Sequence, residues 1–132
     1  MLLAQTDCLA HSDDCGSQAY NLTRSPFTNW YPVWSPDSQR LLFQSNRSSQ
    51  SQVYEAVVNC DSKMSDCATP LKSELSYSLY PSFSPDGHWI MLLSSQGNGQ
   101  ELYLLVVDGS AVQQLTHMGG QISSARWRPT AP

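Results

Sequence analysis

Three leucines, Leu22, Leu71 and Leu115, and three aromatic residues, Trp34, Phe83 and Trp127, share one register: both sets are spaced 49 and then 44 residues apart, leaving 12 residues from each leucine to its aromatic. Longer stretches repeat with them. Tyr31-Pro32-Val33-Trp34-Ser35-Pro36-Asp37 matches Tyr80-Pro81-Ser82-Phe83-Ser84-Pro85-Asp86, and Val53-Tyr54-Glu55-Ala56-Val57-Val58 matches Leu102-Tyr103-Leu104-Leu105-Val106-Val107. A chain with such a period must build the same small unit more than once, and each unit must bury its apolar surface against a neighbour.

Within a unit the residues read as strands. Both Trp89-Ile90-Met91-Leu92-Leu93 and the run 102–107 are apolar throughout, so both faces should be covered; each is too short for a typical helix and is bounded by turn residues. In Ser84-Pro85-Asp86-Gly87, Pro presets φ, Asp can cap the turn through its side chain, and Gly accepts positive φ. Asp108-Gly109 is a hairpin signal. The expected strands are 31–35, 39–45, 52–58 and 69–73 in one copy, and 80–84, 89–93, 102–107 and 112–116 in the next. Four antiparallel strands in a period of roughly 40 to 50 residues is the signature of a propeller blade. The expected fold class is therefore all-β: β-propeller blades made of four-stranded antiparallel sheets, two of them complete, with partial blades at both ends.

The pattern resembles the TolB-like, WD-repeat-like β-propeller repeats of bacterial extracytoplasmic proteins. The resemblance lies in Leu22-Thr23 and Leu115-Thr116, in Trp34-Ser35-Pro36-Asp37 and its degenerate form Trp127-Arg128-Pro129-Thr130, and in Phe83-Ser84-Pro85-Asp86-Gly87 between them. It covers nearly the whole chain. Two departures stand out: Ser38 takes the place of the usual turn Gly, and the last copy lacks Asp and Gly. The resemblance implies a noncatalytic scaffold for protein–protein or ligand interaction, located outside the cytoplasm of a bacterium.

The expected organisation is a single propeller segment over 1–132: an outer half-blade at 1–23, blades at 24–73 and 74–116, and the first strand of a further blade at 117–132, with that strand near 121–127. Propellers close with about four to eight blades, and an open stack leaves apolar faces in water. Two outcomes are therefore expected: a slice of a longer polypeptide, or a self-assembling structural subunit, forming a ring or a filament, whose copies close blades between chains as a homo-oligomer, two chains making a six-bladed ring. A third reading is the propeller portion of a larger hydrolase, with its catalytic domain elsewhere.

Composition narrows the partners. With 40% hydrophobic and 14% charged residues the chain is globular, and a net charge of −4 without a basic run argues against nucleic acid and anionic membrane surfaces. No apolar run reaches 18 residues, so no membrane insertion is expected. The opening Met1-Leu2-Leu3-Ala4 is too short for a signal-peptide apolar region, so any export signal has been removed or lies upstream. Cys8 with Cys15 and Cys60 with Cys67 share a C-x6-C spacing at equivalent repeat positions, straddling the hairpin between third and fourth strands, and are read as two local disulfides. Each would stabilise by about 2.5 kcal/mol. Metal binding through His11 is the competing reading for the first pair; the second loop holds Lys63 and Met64 and no His. Paired Cys imply an oxidising compartment.

No G-x-S-x-G, H-E-x-x-H, Gly-rich phosphate loop or C-x-x-C occurs, so no catalytic residue, metal or cofactor is expected. His11, His88 and His117 fall in separate turns or loops, and Asp37 and Asp86 are turn caps in successive copies rather than a catalytic pair. Trp34, Phe83, Trp127, Tyr54 and Tyr103 are expected in the core. Trp30, Tyr31, Tyr77 and Tyr80 precede the innermost strands, where loops gather at one rim, and Arg47 is the charge on the neighbouring loops. These five are the candidate residues for a ligand or protein partner, since exposed rim aromatics anchor partners. Tyr31 and Tyr80 occupy equivalent positions, which also admits a structural role.

Overall fold

The computed structural model describes residues 1–3, 19–60, 66–75, 77–96 and 99–129. Among them are ten strands and no helix: β1 (Leu2–Leu3), β2 (Tyr20–Asn21), β3 (Asn29–Trp34), β4 (Arg40–Ser45), β5 (Gln52–Val57), β6 (Ala68–Pro70), β7 (Ser78–Phe83), β8 (Trp89–Ser94), β9 (Glu101–Val106) and β10 (Val112–Gln114). They form two four-stranded antiparallel sheets, β3-β4-β5-β6 and β7-β8-β9-β10, and a two-stranded piece, β1-β2. Each four-stranded sheet is an up-and-down meander, the topology of a propeller blade.

The turn that opens each blade is built from its own short side chains. Ser35 Oγ accepts from Arg40 N at 2.9 Å and donates to the Asp37 carboxylate, which in turn accepts from Gln39 N at 3.0 Å. Ser84, Asp86, Trp89 and His88 repeat the arrangement, with Ser84 Oγ accepting from Trp89 N at 2.9 Å and Asp86 accepting from His88 N at 3.1 Å. These bonds, the seryl hydroxyl first, hold both carboxyls below the ordinary carboxylate range. At the tightest point φ is +73° at Gly87 and +58° at Ser38. Ser therefore takes a backbone conformation that Gly adopts freely.

Alternation along β4 sorts the core into two clusters. Leu41 and Phe43 join Leu22, Tyr54, Ala56 and Cys67 on one side, whereas Leu42 joins Val53, Leu75, Phe83, Ile90, Leu92, Tyr103 and Leu105 on the other. The second cluster is the interface between blades, where β7 lies against β3, β4 and β5. Phe83 is buried there, with the Arg40 guanidinium 5.6 Å from its ring centroid and Arg40 itself paired to Glu55 at 3.3 Å. Tyr54 and Tyr103 are buried at matching positions.

Trp34 departs from expectation. It is 49% exposed, although one repeat later Phe83 is buried. The physical reason is the neighbour. Phe83 lies under the sheet β3-β4-β5-β6, while the face carrying Trp34 is covered by Leu22 and the residues packed with it, which reach Leu41, Phe43 and Tyr54 but leave the Trp34 ring open.

Boundaries also differ. The inner strands start earlier than expected, at Asn29 and Ser78, and β6 and β10 are shorter. No strand occurs at 121–127. None of its described residues pairs with another strand, and Trp127 Nε1 instead donates to Ser82 O at 3.3 Å and Ser82 Oγ at 3.2 Å. Just before it, Gly120 O accepts from Gln100 N at 3.0 Å. The Glu101 carboxylate holds the approach, accepting from Thr116 Oγ1 and from Gly119 N at 2.7 Å; these two bonds, the hydroxyl first, keep its carboxyl below the usual range.

Cys60 and Cys67 form a disulfide with Cα atoms 5.9 Å apart. Cys8, Cys15 and His11 lie outside the described residues.

Candidate functional site

The two inner strands share an irregularity that their sequences did not announce. In β3, Trp30 pairs with Gln44 and Val33 with Leu42, so Tyr31 and Pro32 together oppose the single residue Phe43. In β7, Leu79 pairs with Leu93 and Ser82 with Met91, so Tyr80 and Pro81 oppose Leu92. A two-against-one bulge re-aims the side chain it carries, and such bulges concentrate beside functional sites. Both tyrosines sit at φ +52°, a region sparsely populated by non-Gly residues and a genuine outlier for a bulky one.

The bulges bring the two phenols together. The ring centroids of Tyr31 and Tyr80 are 4.9 Å apart at an interplanar angle of 64°, an edge-on contact, and the side chains remain 53% and 45% exposed. Tyr31 beside it pushes the Tyr80 phenol above the ordinary tyrosine value. Beneath them opens a cleft of about 380 Å³. Met91 and Leu93, both buried, and Leu102 are among the apolar residues lining it, and Ser123, Ser124, Ala125 and Arg126 line it from the chain's last described segment. Counting by the repeat, Tyr31-Pro32-Val33, Tyr80-Pro81-Ser82 and Ser124-Ala125-Arg126 are equivalent triplets, and all three line the same cleft. The cleft thus forms where the inner edges of successive units converge, the region that faces the axis of a propeller. Its chemistry is two phenol hydroxyls, serine hydroxyls, proline and aliphatic surface, and one guanidinium, which suits capture of a side chain or chain segment.

The remaining candidates separate from this cleft. Trp30, the second residue of β3, is 39% exposed. Tyr77 lines a second cleft with Gln50, Ser95, Gly99, Gln100 and Gln121. Arg47 is not the open rim charge that its loop position suggested. Only 9% of its side chain is exposed; it pairs with Asp66, donates to Asn29 Oδ1 at 3.1 Å and Ser45 Oγ at 3.1 Å, and lies 4.7 Å from the Tyr54 ring centroid and 5.5 Å from that of Phe43. Its guanidinium therefore caps an apolar face. The structure joins Tyr31 to Tyr80 and leaves Trp30, Tyr77 and Arg47 elsewhere. Ser82, Met91 and 123–126 carry no signal of their own in the sequence; the Tyr-Pro dipeptide, repeated 49 residues apart, is the one that marks the site.

No protein-family model matches the chain. Among solved structures it is similar in fold to TolB from Acinetobacter baumannii, with a TM-score of 0.63 and 20% sequence identity over 75% of this chain and 24% of that one. It is also similar to a protein described as a TolB from Agrobacterium tumefaciens, with a TM-score of 0.59 and 27% identity over 75% of this chain and 34% of that one. The fold is thus a TolB-like β-propeller arrangement, and the chain spans between a quarter and about a third of the length of these two proteins.

Proposed function

We propose that the chain is a noncatalytic β-propeller segment that binds a protein partner through the cleft at Tyr31 and Tyr80. The observation that supports this most is the repeated strain. Two successive copies each place a tyrosine, not a glycine, at φ +52° and leave its ring in contact with solvent. Such a conformation costs about 1–3 kcal/mol at each position and concentrates at ligand clamps. The two phenols stand outside the buried interface core, which Leu42, Phe83, Ile90, Leu92 and Leu105 help to build.

The partner segment is extended, with aliphatic or prolyl side chains for the aromatic and proline walls and an acidic group near Arg126. The Cys60–Cys67 disulfide supports placement in an oxidising, extracytoplasmic compartment. The described residues 1–3 and 19–23, and 117–129, are assigned to the blades on either side. In support, β1 and β2 pair antiparallel as outer strands do, and Trp127 reaches Ser82 on the inner strand β7.

The test is selection of binding peptides from a displayed library, followed by amide chemical-shift mapping on the unreduced chain. Shifts should centre on 31–33, 80–82 and 123–126. Shifts confined to the outer strands β6 and β10 would refute the site.

A second reading rests on the open ring of Trp34: the same face is covered at Phe83 by another blade, so a second copy could cover it here. Light scattering across a concentration series should then show a discrete dimer that Trp34→Ala dissociates. A monomer at all concentrations rejects that reading.

A further inference from the structure

We propose that Tyr31 and Tyr80 are a site of oxidative coupling, forming an intramolecular dityrosine that staples the inner edges of the two blades. The argument rests on placement. Among the described residues this is the one contact between two tyrosine rings, with centroids 4.9 Å apart. Both rings are about half exposed, so a soluble oxidant reaches them, whereas Tyr54 and Tyr103 are buried. Tyr103 is also committed to Gln114 Oε1 at 3.1 Å. The bulges hold the two rings in this T-shaped contact, from strands that belong to different sheets and lie 49 residues apart in sequence. Coupling needs reactive carbons already adjacent when the radicals form, and an orientation held by the backbone supplies that proximity.

The oxidant is hydrogen peroxide acting through a haem peroxidase. Each phenol loses its hydroxyl hydrogen as a proton and an electron. The two phenoxyl radicals then join through ring carbons ortho to oxygen, forming one C–C bond. Each joined carbon releases its hydrogen as a proton while each phenol oxygen takes one up, restoring both aromatic rings. The net loss is two protons and two electrons, which convert one hydrogen peroxide to two molecules of water. The product closes a covalent loop between blades, so it should melt at a higher temperature than the untreated chain.

The experiment treats the folded, unreduced chain with peroxidase and hydrogen peroxide at low protein concentration, then reads biphenol fluorescence, intact mass and peptide maps. The expected product is a single chain lighter by two hydrogens, with the peptides containing Tyr31 and Tyr80 joined. Tyr31→Phe and Tyr80→Phe, which keep the ring contact, should each abolish it, and prior unfolding in urea should remove its selectivity. Linkage through Tyr77, links only between chains, or no biphenol fluorescence would each overturn the proposal.

Discussion

Replacing Tyr31 by Gly and by Ala gives a test whose sign, not only its size, is set by the structure. In an ordinary strand, Gly is less stable than Ala by about 0.5–1 kcal/mol because it has more backbone freedom to lose. At position 31 φ is +52°, where an L side chain carries roughly 1–2 kcal/mol of strain that Gly does not. Both variants lose the ring contact with Tyr80, worth about 0.5–1.5 kcal/mol, and little burial, because the ring is already 53% exposed. The Ala variant keeps the strain and should be less stable than the wild type by about 1 kcal/mol. The Gly variant recovers the strain against its entropic cost and should fall within about 0.5 kcal/mol of the wild type, above Ala by roughly 0.5–1 kcal/mol. Urea unfolding followed by tryptophan fluorescence separates them, as does a difference in Tm of about 2–4 °C. If Tyr31→Ala proves as stable as Tyr31→Gly or more so, position 31 is unstrained and the argument for a retained, costly phenol fails.

Ser38→Gly should stabilise by about 0.5–1 kcal/mol, since Ser38 sits at φ +58° where the matching turn has Gly87 at +73°; a Tm equal to or below wild type would count against this. Phe83→Ala should cost about 3–5 kcal/mol and Trp34→Ala under about 1.5 kcal/mol despite their shared repeat position, because a neighbouring blade covers only the first. Equal losses in denaturant titrations would mean that Trp34 is covered in solution. Asp37, Asp86, Glu101 and Asp108 all have carboxyls held below their ordinary values. Their folded pKa values lie below the unfolded ones, so their contribution is fully present above about pH 5 and is lost as pH falls through the folded values. Thermal melts should therefore decline on acidification below that point, and a flat profile down to the acid limit would contradict the turn and loop bonding described.

The architecture was legible because it is local and repeated. Ser-Pro-Asp fixes the turn through bonds spanning two to five residues, and the Leu-to-aromatic register fixes which strands recur. What a residue's neighbour does was not legible. Trp34 and Phe83 carry the same local signal, yet burial is decided by the adjoining sheet. Arg47 looks like a loop charge until Asp66, 19 residues away, and the Phe43 and Tyr54 rings close around it. The bulges arise only when β3 and β7 are paired against β4 and β8, so the contact of Tyr31 with Tyr80 is a product of register. The stretch 121–127 shows the converse: its strand-like pattern does not become a strand without a partner to pair with.

The most direct measurement is the affinity of a library-selected peptide for the wild type and for the double variant Tyr31→Gly/Tyr80→Gly, by titration calorimetry, with Tm recorded for both. Aromatic anchors of this kind contribute about 2 kcal/mol or more, so affinity should fall at least about thirtyfold while the fold survives. Unchanged affinity in a folded double variant would contradict the assignment of the Tyr31–Tyr80 cleft as the binding site.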